Sequence, residues 1–236
     1  MRKRMFLRNP GFFQIPLRQM TFAILMAIPL AAADLSSQIV RVSETQTLDA
    51  ARAGTLHLEN SRGAVNIEGW DQPRVEITVI KSTTGLFHAS DAATHLLDHA
   101  HIKSDRNGDQ ILISTQVPRH DRGELKVQYY IKAPRGSKIV IDRGNGSVYV
   151  AGMAGDIDTT LKQGQLTLIL PENAEYSIDA RAKIGDVYWE VDGQEQRHHF
   201  LGHGFTNGPA TPAHKLYLRV CYGDIMIAKA YTKHAP

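Results

Sequence analysis

From residue 54 almost to its end, the chain alternates apolar and polar residues over short runs. Leu56 and Leu58 alternate in "TLHLEN", Val65 and Ile67 in "AVNIEGW", and Val75, Ile77 and Val79 in "RVEITVIKS". Ile111 and Ile113 do the same in "DQILIST", as do Leu125, Val127, Tyr129 and Ile131 in "ELKVQYYIKA". A period of two puts these side chains on one face of an extended strand and their polar neighbours on the other. One stretch departs from it. Ala93, Leu96, Leu97 and Ala100 recur at helical spacing, with Ser90 or Asp91 placed to cap the start. This predicts a short helix over about 91–99, packed on a sheet through its leucines. A strand from about Ala100 should follow, closed into a hairpin at Asn107-Gly108.

A second regularity is laid over the alternation. Gly63, Gly146, Gly155, Gly164, Gly185 and Gly223 each stand one residue ahead of an apolar–x–apolar or near-apolar pulse. Glycine adopts positive φ without steric cost, so these six positions are predicted as structural turns. Val148, Val150, Leu166, Leu168, Leu170, Val187, Trp189 and Val191 then point into a shared core. The repetition predicts an all-β fold, a β-solenoid or β-helix-like stack of short strand–Gly-turn repeats with one inserted helix. The alternative is an antiparallel β-sandwich, barrel or meander, for which Asn145-Gly146 is a suitable hairpin turn.

The N-terminus reads differently. Arg2, Lys3, Arg4, Arg8 and Arg18 precede the 13-residue run "TFAILMAIPLAAA". A basic leader, a short apolar run and small residues at Ala31–Ala33 are the order of a secretory signal peptide, residues 1–33. The run is shorter than the ~20 residues a membrane-spanning helix needs. Residues 34–236 are expected to form a single β-repeat domain, with the helical insert in its 54–133 part and the repeats in 134–230. The expected location is outside the cytoplasm, periplasmic or attached to the cell envelope, with no membrane span left after cleavage.

Export changes the charge balance. The whole chain carries 27 Lys and Arg against 24 Asp and Glu, and five of the basic residues lie in the leader. The remaining chain has 22 against 24, so no basic surface for nucleic acid is expected. The single cysteine, Cys221, can form no intrachain disulfide. A chain of about 200 residues buries an adequate core without one.

Candidate chemistry is sparse. His95 and His99 lie at i, i+4 on the predicted helix, near His88 and His101, and His198, His199 and His203 crowd one segment. Such a pair can chelate zinc, but no further ligand is spaced to complete the set. The Gly-Asp pairs at Asp156, Asp186 and Asp224 read as turn caps that accept backbone N–H groups, and the nonapeptide calcium repeat is absent. Asp142, Asp156, Asp158 and Glu190 are the carboxylates a carbohydrate-active enzyme on a β-helix would use. Tyr149, Tyr188 and Tyr217 are predicted to point outward, where a tyrosine row can stack on sugar rings. No cofactor is expected.

The segments "LHLENSRGAVNIEGWDQPRVEITVIKS", "YYIKAPRGSKIVIDRGNGSVYVAGMAGDIDTTLKQGQLTLILPENAEYSIDARAKIGDVYWEV" and "LRVCYGDIMI" carry these glycine and alternation motifs over most of Leu56–Ile227. They resemble the bacterial putative-adhesin β-strand-repeat family, a family of exported domains. The resemblance implies an envelope-associated all-β protein without catalytic residues. The histidine-rich insert and the loop "EQRHHFLGHGFTNGPATPAH" depart from the family pattern and inherit no role. The expected function is non-catalytic: a rigid surface for binding or adhesion to an envelope polymer or another protein. A carbohydrate-active enzyme and a histidine-based metal module are the alternatives.

Overall fold

The computed structural model describes residues 41–50, 54–59, 63–83, 97–116, 125–191, 194–198, 204–209 and 211–230. Their strands are β1 (Arg41–Asp49), β2 (Thr55–Glu59), β3 (Ala64–Trp70), β4 (Arg74–Thr83), β5 (His101–Asn107) and β6 (Gln110–Gln116). There follow β7 (Leu125–Pro134), β8 (Lys138–Asn145), β9 (Val148–Ala151), β10 (Ile157–Gln163), β11 (Leu166–Leu170) and β12 (Tyr176–Ile184). The last are β13 (Val187–Val191), β14 (Gln194–His198), β15 (Gly204–Asn207), β16 (His214–Tyr222) and β17 (Ile225–Lys229). They form two open, mixed sheets. Sheet A runs β1-β4-β7-β3-β9-β11-β17-β13-β14, and sheet B runs β15-β12-β16-β10-β8-β2-β6-β5.

The alternating residues do what their period requires. Leu56, Leu58, Ile139, Ile141, Ile157, Leu161, Leu216 and Leu218 of sheet B are buried. They join Val65, Ile67, Val148, Val150, Leu166, Leu168, Val187, Trp189, Ile225 and Ile227 of sheet A in one hydrophobic cluster. Each buried aliphatic side chain contributes about 1.5–3 kcal/mol. The side chain of Val191 lies outside the described residues.

Five of the expected glycine turns join the sheets. Gly63, Gly146, Gly164, Gly185 and Gly223 lie between β2 and β3, β8 and β9, β10 and β11, β12 and β13, and β16 and β17. Each strand pair is one rung, with its first strand in sheet B and its second in sheet A. All five have φ between 95° and 141°. The corners stack in the order Gly63, Gly146, Gly164, Gly223, Gly185. The N–H of Gly146 donates to Gln163 O (2.8 Å), that of Gly164 to Tyr222 O (2.9 Å) and that of Gly223 to Ile184 O (2.8 Å). Asn145-Gly146 is thus a corner between sheets and not a hairpin turn.

Gly155 corrects the reading. It lies on the return from β9 to β10 and outside the positive-φ group. Its constraint is close approach, because a Cβ there would sit 2.3 Å from Ser137 O. The hairpin of β5 and β6 forms as predicted, with Gly108 at φ 61°.

The order of the rungs is not the order of the chain. The last rung, β16–β17, lies inside the stack, with β16 parallel to β10 and β12 and β17 parallel to β11 and β13. The first, β2–β3, lies between β6–β7 and β8–β9. A simple solenoid stacks consecutive turns, so the solenoid expectation is not confirmed. The two-layer alternative is the compatible one, although its central pairings are parallel. The helix expected over about 91–99 falls largely outside the described residues. Of it, Leu97–His99 form a single turn, where Ala100 N–H donates to Leu97 O (3.3 Å). Among the described residues there is no longer helix.

The two ends of the stack are finished differently. At one end β1 and β5 bring polar groups together. Lys81 pairs with Glu44 (2.6 Å) and donates to Ala100 O (3.2 Å), Ser104 bonds Gln46, and Arg106 donates to Asp49 O (2.8 Å). At the other end Trp189 meets Phe205 at 5.9 Å between ring centres. The predicted leader, residues 1–33, lies outside the described residues.

Candidate binding face

In-register stacking turns a column of the repeat into a row on the surface. Counting from each corner glycine, the second and fourth residues point inward and the third points outward. The third residues are Asn66, Tyr149, Thr167, Met226 and Tyr188. Sheet A pairs them directly, Asn66 with Tyr149, Tyr149 with Thr167, Thr167 with Met226 and Met226 with Tyr188. Tyr130 of β7 extends the row through its pairing with Asn66. Tyr130, Tyr149 and Met226 are 45%, 43% and 39% exposed, among the most exposed large apolar residues described. Tyr188 is half-buried, and its hydroxyl donates to Asp186 Oδ2 (3.2 Å), which fixes the ring at the end of the row.

The flanking rows differ in character. On one side lie Lys132, Glu68, Ala151, Ile169, Ala228 and Glu190. On the other, toward the corners, lie Gln128, Ala64, Ser147, Gln165, Asp224 and Asp186, following the strand register. From β7 to β13 these rows hold four carboxylates against one lysine. Asp224 Oδ1 accepts the N–H of Asp186 (2.8 Å), and Asp156 Oδ1 accepts that of Lys215 (2.9 Å). These Gly-Asp carboxylates therefore cap the neighbouring rung, not their own turn.

Tyr217 is not part of this face. It precedes its corner glycine and so lies in sheet B, on the opposite outer surface, 45% exposed. The guanidinium of Arg219 stacks 3.8 Å above its ring and pairs with Asp179 (2.6 Å). That hydrogen bond holds the Asp179 carboxyl below its ordinary value of 3.8, against the opposing effect of burial. The associated stability is present above the ordinary value and is lost as pH falls through the depressed one.

The histidine pair stands apart. His95 lies outside the described residues and His99 is exposed at the end of the single turn. Among the described residues no group of three or more His, Cys, Asp or Glu is placed to hold a metal. Asp142 and Asp158 stand on the paired strands β8 and β10 of sheet B, and Glu190 stands apart from them on sheet A. Cys221 is a partly buried free thiol. A cleft of about 340 Å³ between the layers is lined by Leu170, Tyr176, Ile178 and Trp189, with Glu175 and Lys229 also on its wall. A second of about 200 Å³ contains Asp49, Asp109 and Arg106. There Arg106 is committed to the backbone oxygens of Asp49 and Gly108.

Tyr176 sits at the edge of the larger cleft and donates to Met153 O (2.8 Å). Burial, and secondarily the charge of Asp156, push its pKa from 10.0 to about 12. The unfolded chain therefore loses this proton first. Stability is complete below pH 10.0 and falls as pH rises toward about 12. Tyr176→Phe flattens that part of the profile and costs about 1 kcal/mol at neutral pH for the lost hydrogen bond. Urea unfolding of both proteins at neutral and alkaline pH checks this. Parallel alkaline losses in the two would contradict it.

No family model matches the sequence, and no curated protein matches it, so the resemblance to the β-strand-repeat family rests on the quoted motifs alone. Several solved structures match at low similarity. A "putative cell adhesion protein" from Clostridium sporogenes has 12% identity and a TM-score of 0.49, covering 81% of this chain and 100% of its own. A "putative adhesin" from Bacteroides fragilis has 9% identity and a TM-score of 0.25, covering 83% and 98%. A "putative lipid binding protein" from Parabacteroides distasonis has 9% identity and a TM-score of 0.21, covering 80% and 97%. Likeness at this level leaves function to the chain's own residues.

Proposed function

We propose that this chain is a non-catalytic, exported binding protein of the cell envelope that presents the outer face of sheet A to an extended partner. The observation that carries the reading is the row Tyr130–Asn66–Tyr149–Thr167–Met226–Tyr188. Strand pairing holds it in register and leaves the rings of Tyr130 and Tyr149 and the Met226 thioether open to solvent, with Tyr188 half-buried beside them. Single exposed apolar residues are common on protein surfaces, whereas several in register along one sheet face, with Asn66 and Thr167 between them, favour an interaction site. The strand register fixes the spacing of these residues before binding, which lowers the ordering cost. Export is supported by the leader pattern of residues 1–33. Among the described residues no helix is long and apolar enough to cross a membrane.

The test is retention of the mature chain on insoluble bacterial envelope material. The triple variant Tyr130→Ala/Tyr149→Ala/Tyr188→Ala is expected to bind at least about tenfold more weakly with its thermal transition preserved. Retention equal to that of the unaltered chain would remove the face from consideration.

A further inference from the structure

We infer that the ligand of this face is a neutral glycan chain lying across the strands, one sugar unit to each strand; this rests on the reading of the row as a binding surface. The row crosses β7, β3, β9, β11, β17 and β13, five strand intervals or about 24 Å at the usual spacing. Its rings stand at the first, third and sixth positions. A pyranose in an extended polymer is about as long as one strand interval, so a straight glycan keeps step with the sheet. Each tyrosine offers a flat apolar face to the C–H side of a sugar ring and a hydroxyl to its edge. Between the rings, the Asn66 amide and Thr167 hydroxyl supply donors and acceptors to sugar hydroxyls.

Two other ligand classes fit less well. An extended peptide binds a sheet by adding to an unpaired edge. Every strand from β7 to β13 is already paired on both sides, so this face offers no free backbone groups. An anionic polymer would meet the flanking carboxylates of Glu68, Glu190, Asp186 and Asp224 with Lys132 as the one opposing charge in those rows. A neutral chain instead finds carboxylate oxygens able to accept its hydroxyl protons.

Length dependence separates these cases. Calorimetric titration of the mature protein with β-linked N-acetylglucosamine and glucose oligomers, from dimer to octamer, should show affinity rising to about six units and then levelling. Tyr149→Ala should weaken every oligomer of three or more units by about three- to tenfold, and Tyr149→Phe, which keeps the ring, should restore most of the loss. Tyr188→Ala should leave trimer affinity within about twofold and abolish the gain from longer chains. Affinity independent of length, or equal effects of the two alanine variants at every length, would overturn the across-strand placement. If polygalacturonate or insoluble envelope material binds in a tyrosine-dependent way while the neutral oligomers do not, the neutral glycan is wrong and the binding face stands. If no tyrosine variant alters any binding, both fall.

Discussion

Gly164→Val is expected to destabilise the domain by about 3–5 kcal/mol, whereas Thr167→Ala, three residues along the same rung, stays within about 0.5 kcal/mol. Two independent constraints meet at Gly164. Its φ of 134° belongs to a region that side-chain-bearing residues rarely enter. A Cβ would also lie 2.0 Å from Gly146 O, the carbonyl of the next corner. Relief requires these two rungs to part, and parting breaks the hydrogen bonds from Gly146 N–H to Gln163 O and from Val148 N–H to Gln165 O. The next corner is built the same way, since a Cβ added at Gly223 would lie 1.9 Å from Gly164 O. Thr167 points outward from the middle of β11, where loss of its hydroxyl and methyl leaves the ladder intact. Denaturant midpoints of the two variants decide the matter. Equal midpoints would mean that the corners tolerate separation and that the stack is not held as described.

The glycine column also shows how much of this molecule its sequence reveals. Alternation located the strands, and inward positions such as Val148, Leu168 and Val187 are buried because period two leaves them no other face. Corner glycines were legible because positive φ is a local demand. Gly155 was misread because "GDID" copies the corner pattern while its constraint comes from Ser137, eighteen positions earlier in the chain. The order of rungs was not legible at all. Each rung presents the same ladder of backbone groups and the same inward aliphatics to its neighbours. Nothing local tells β10–β11 to accept β16–β17 in preference to β12–β13.

The candidate face was half visible. Tyr149 and Tyr188 were identified as outward, but outward means different surfaces before and after a corner. Tyr217 precedes Gly223 and faces away from sheet B, whereas Tyr149 and Tyr188 follow Gly146 and Gly185 and face away from sheet A. Aligning the repeats on their glycines and reading the third residue would have separated them, and would have added Asn66, Thr167 and Met226. Tyr130 carries no such mark, because β7 begins without a described corner glycine. Its place depends on pairing with Asn66, more than sixty residues away. The carboxylates illustrate the converse. Asp142 and Asp158 stay on the paired strands β8 and β10, but Glu190, grouped with them by sequence, lies on the other sheet.

The buried position of the last rung leads to the largest effect. A chain ending at Ala213 is expected to lose cooperative folding, although it retains fifteen of the strands in the element order. Such a chain lacks Leu216, Leu218, Val220, Ile225 and Ile227, each at most 2% exposed. Their burial contributes roughly 8–15 kcal/mol, as much as the whole net stability of an ordinary domain, about 5–15 kcal/mol. Strands β10 and β12, and likewise β11 and β13, would face each other across a gap of one missing strand with their ladders unpaired. Removing the other terminus is a milder change. Most of β1 is exposed, and a chain starting at Gly54 gives up the antiparallel ladder of β1 to β4, the partly buried Leu48 and Ala50, and the contacts of Glu44, Gln46 and Asp49 with Lys81, Ser104 and Arg106. That chain should still melt in a single transition, a few degrees lower. The rungs β2–β3, β6–β7, β8–β9 and β10–β11 pair with one another directly, whereas β12–β13 joins the stack only through β16–β17. Thermal melts followed by near-ultraviolet circular dichroism distinguish the two truncations. A sharp, near-native transition in the chain ending at Ala213 would show that the final rung lies at the edge of the stack, not inside it.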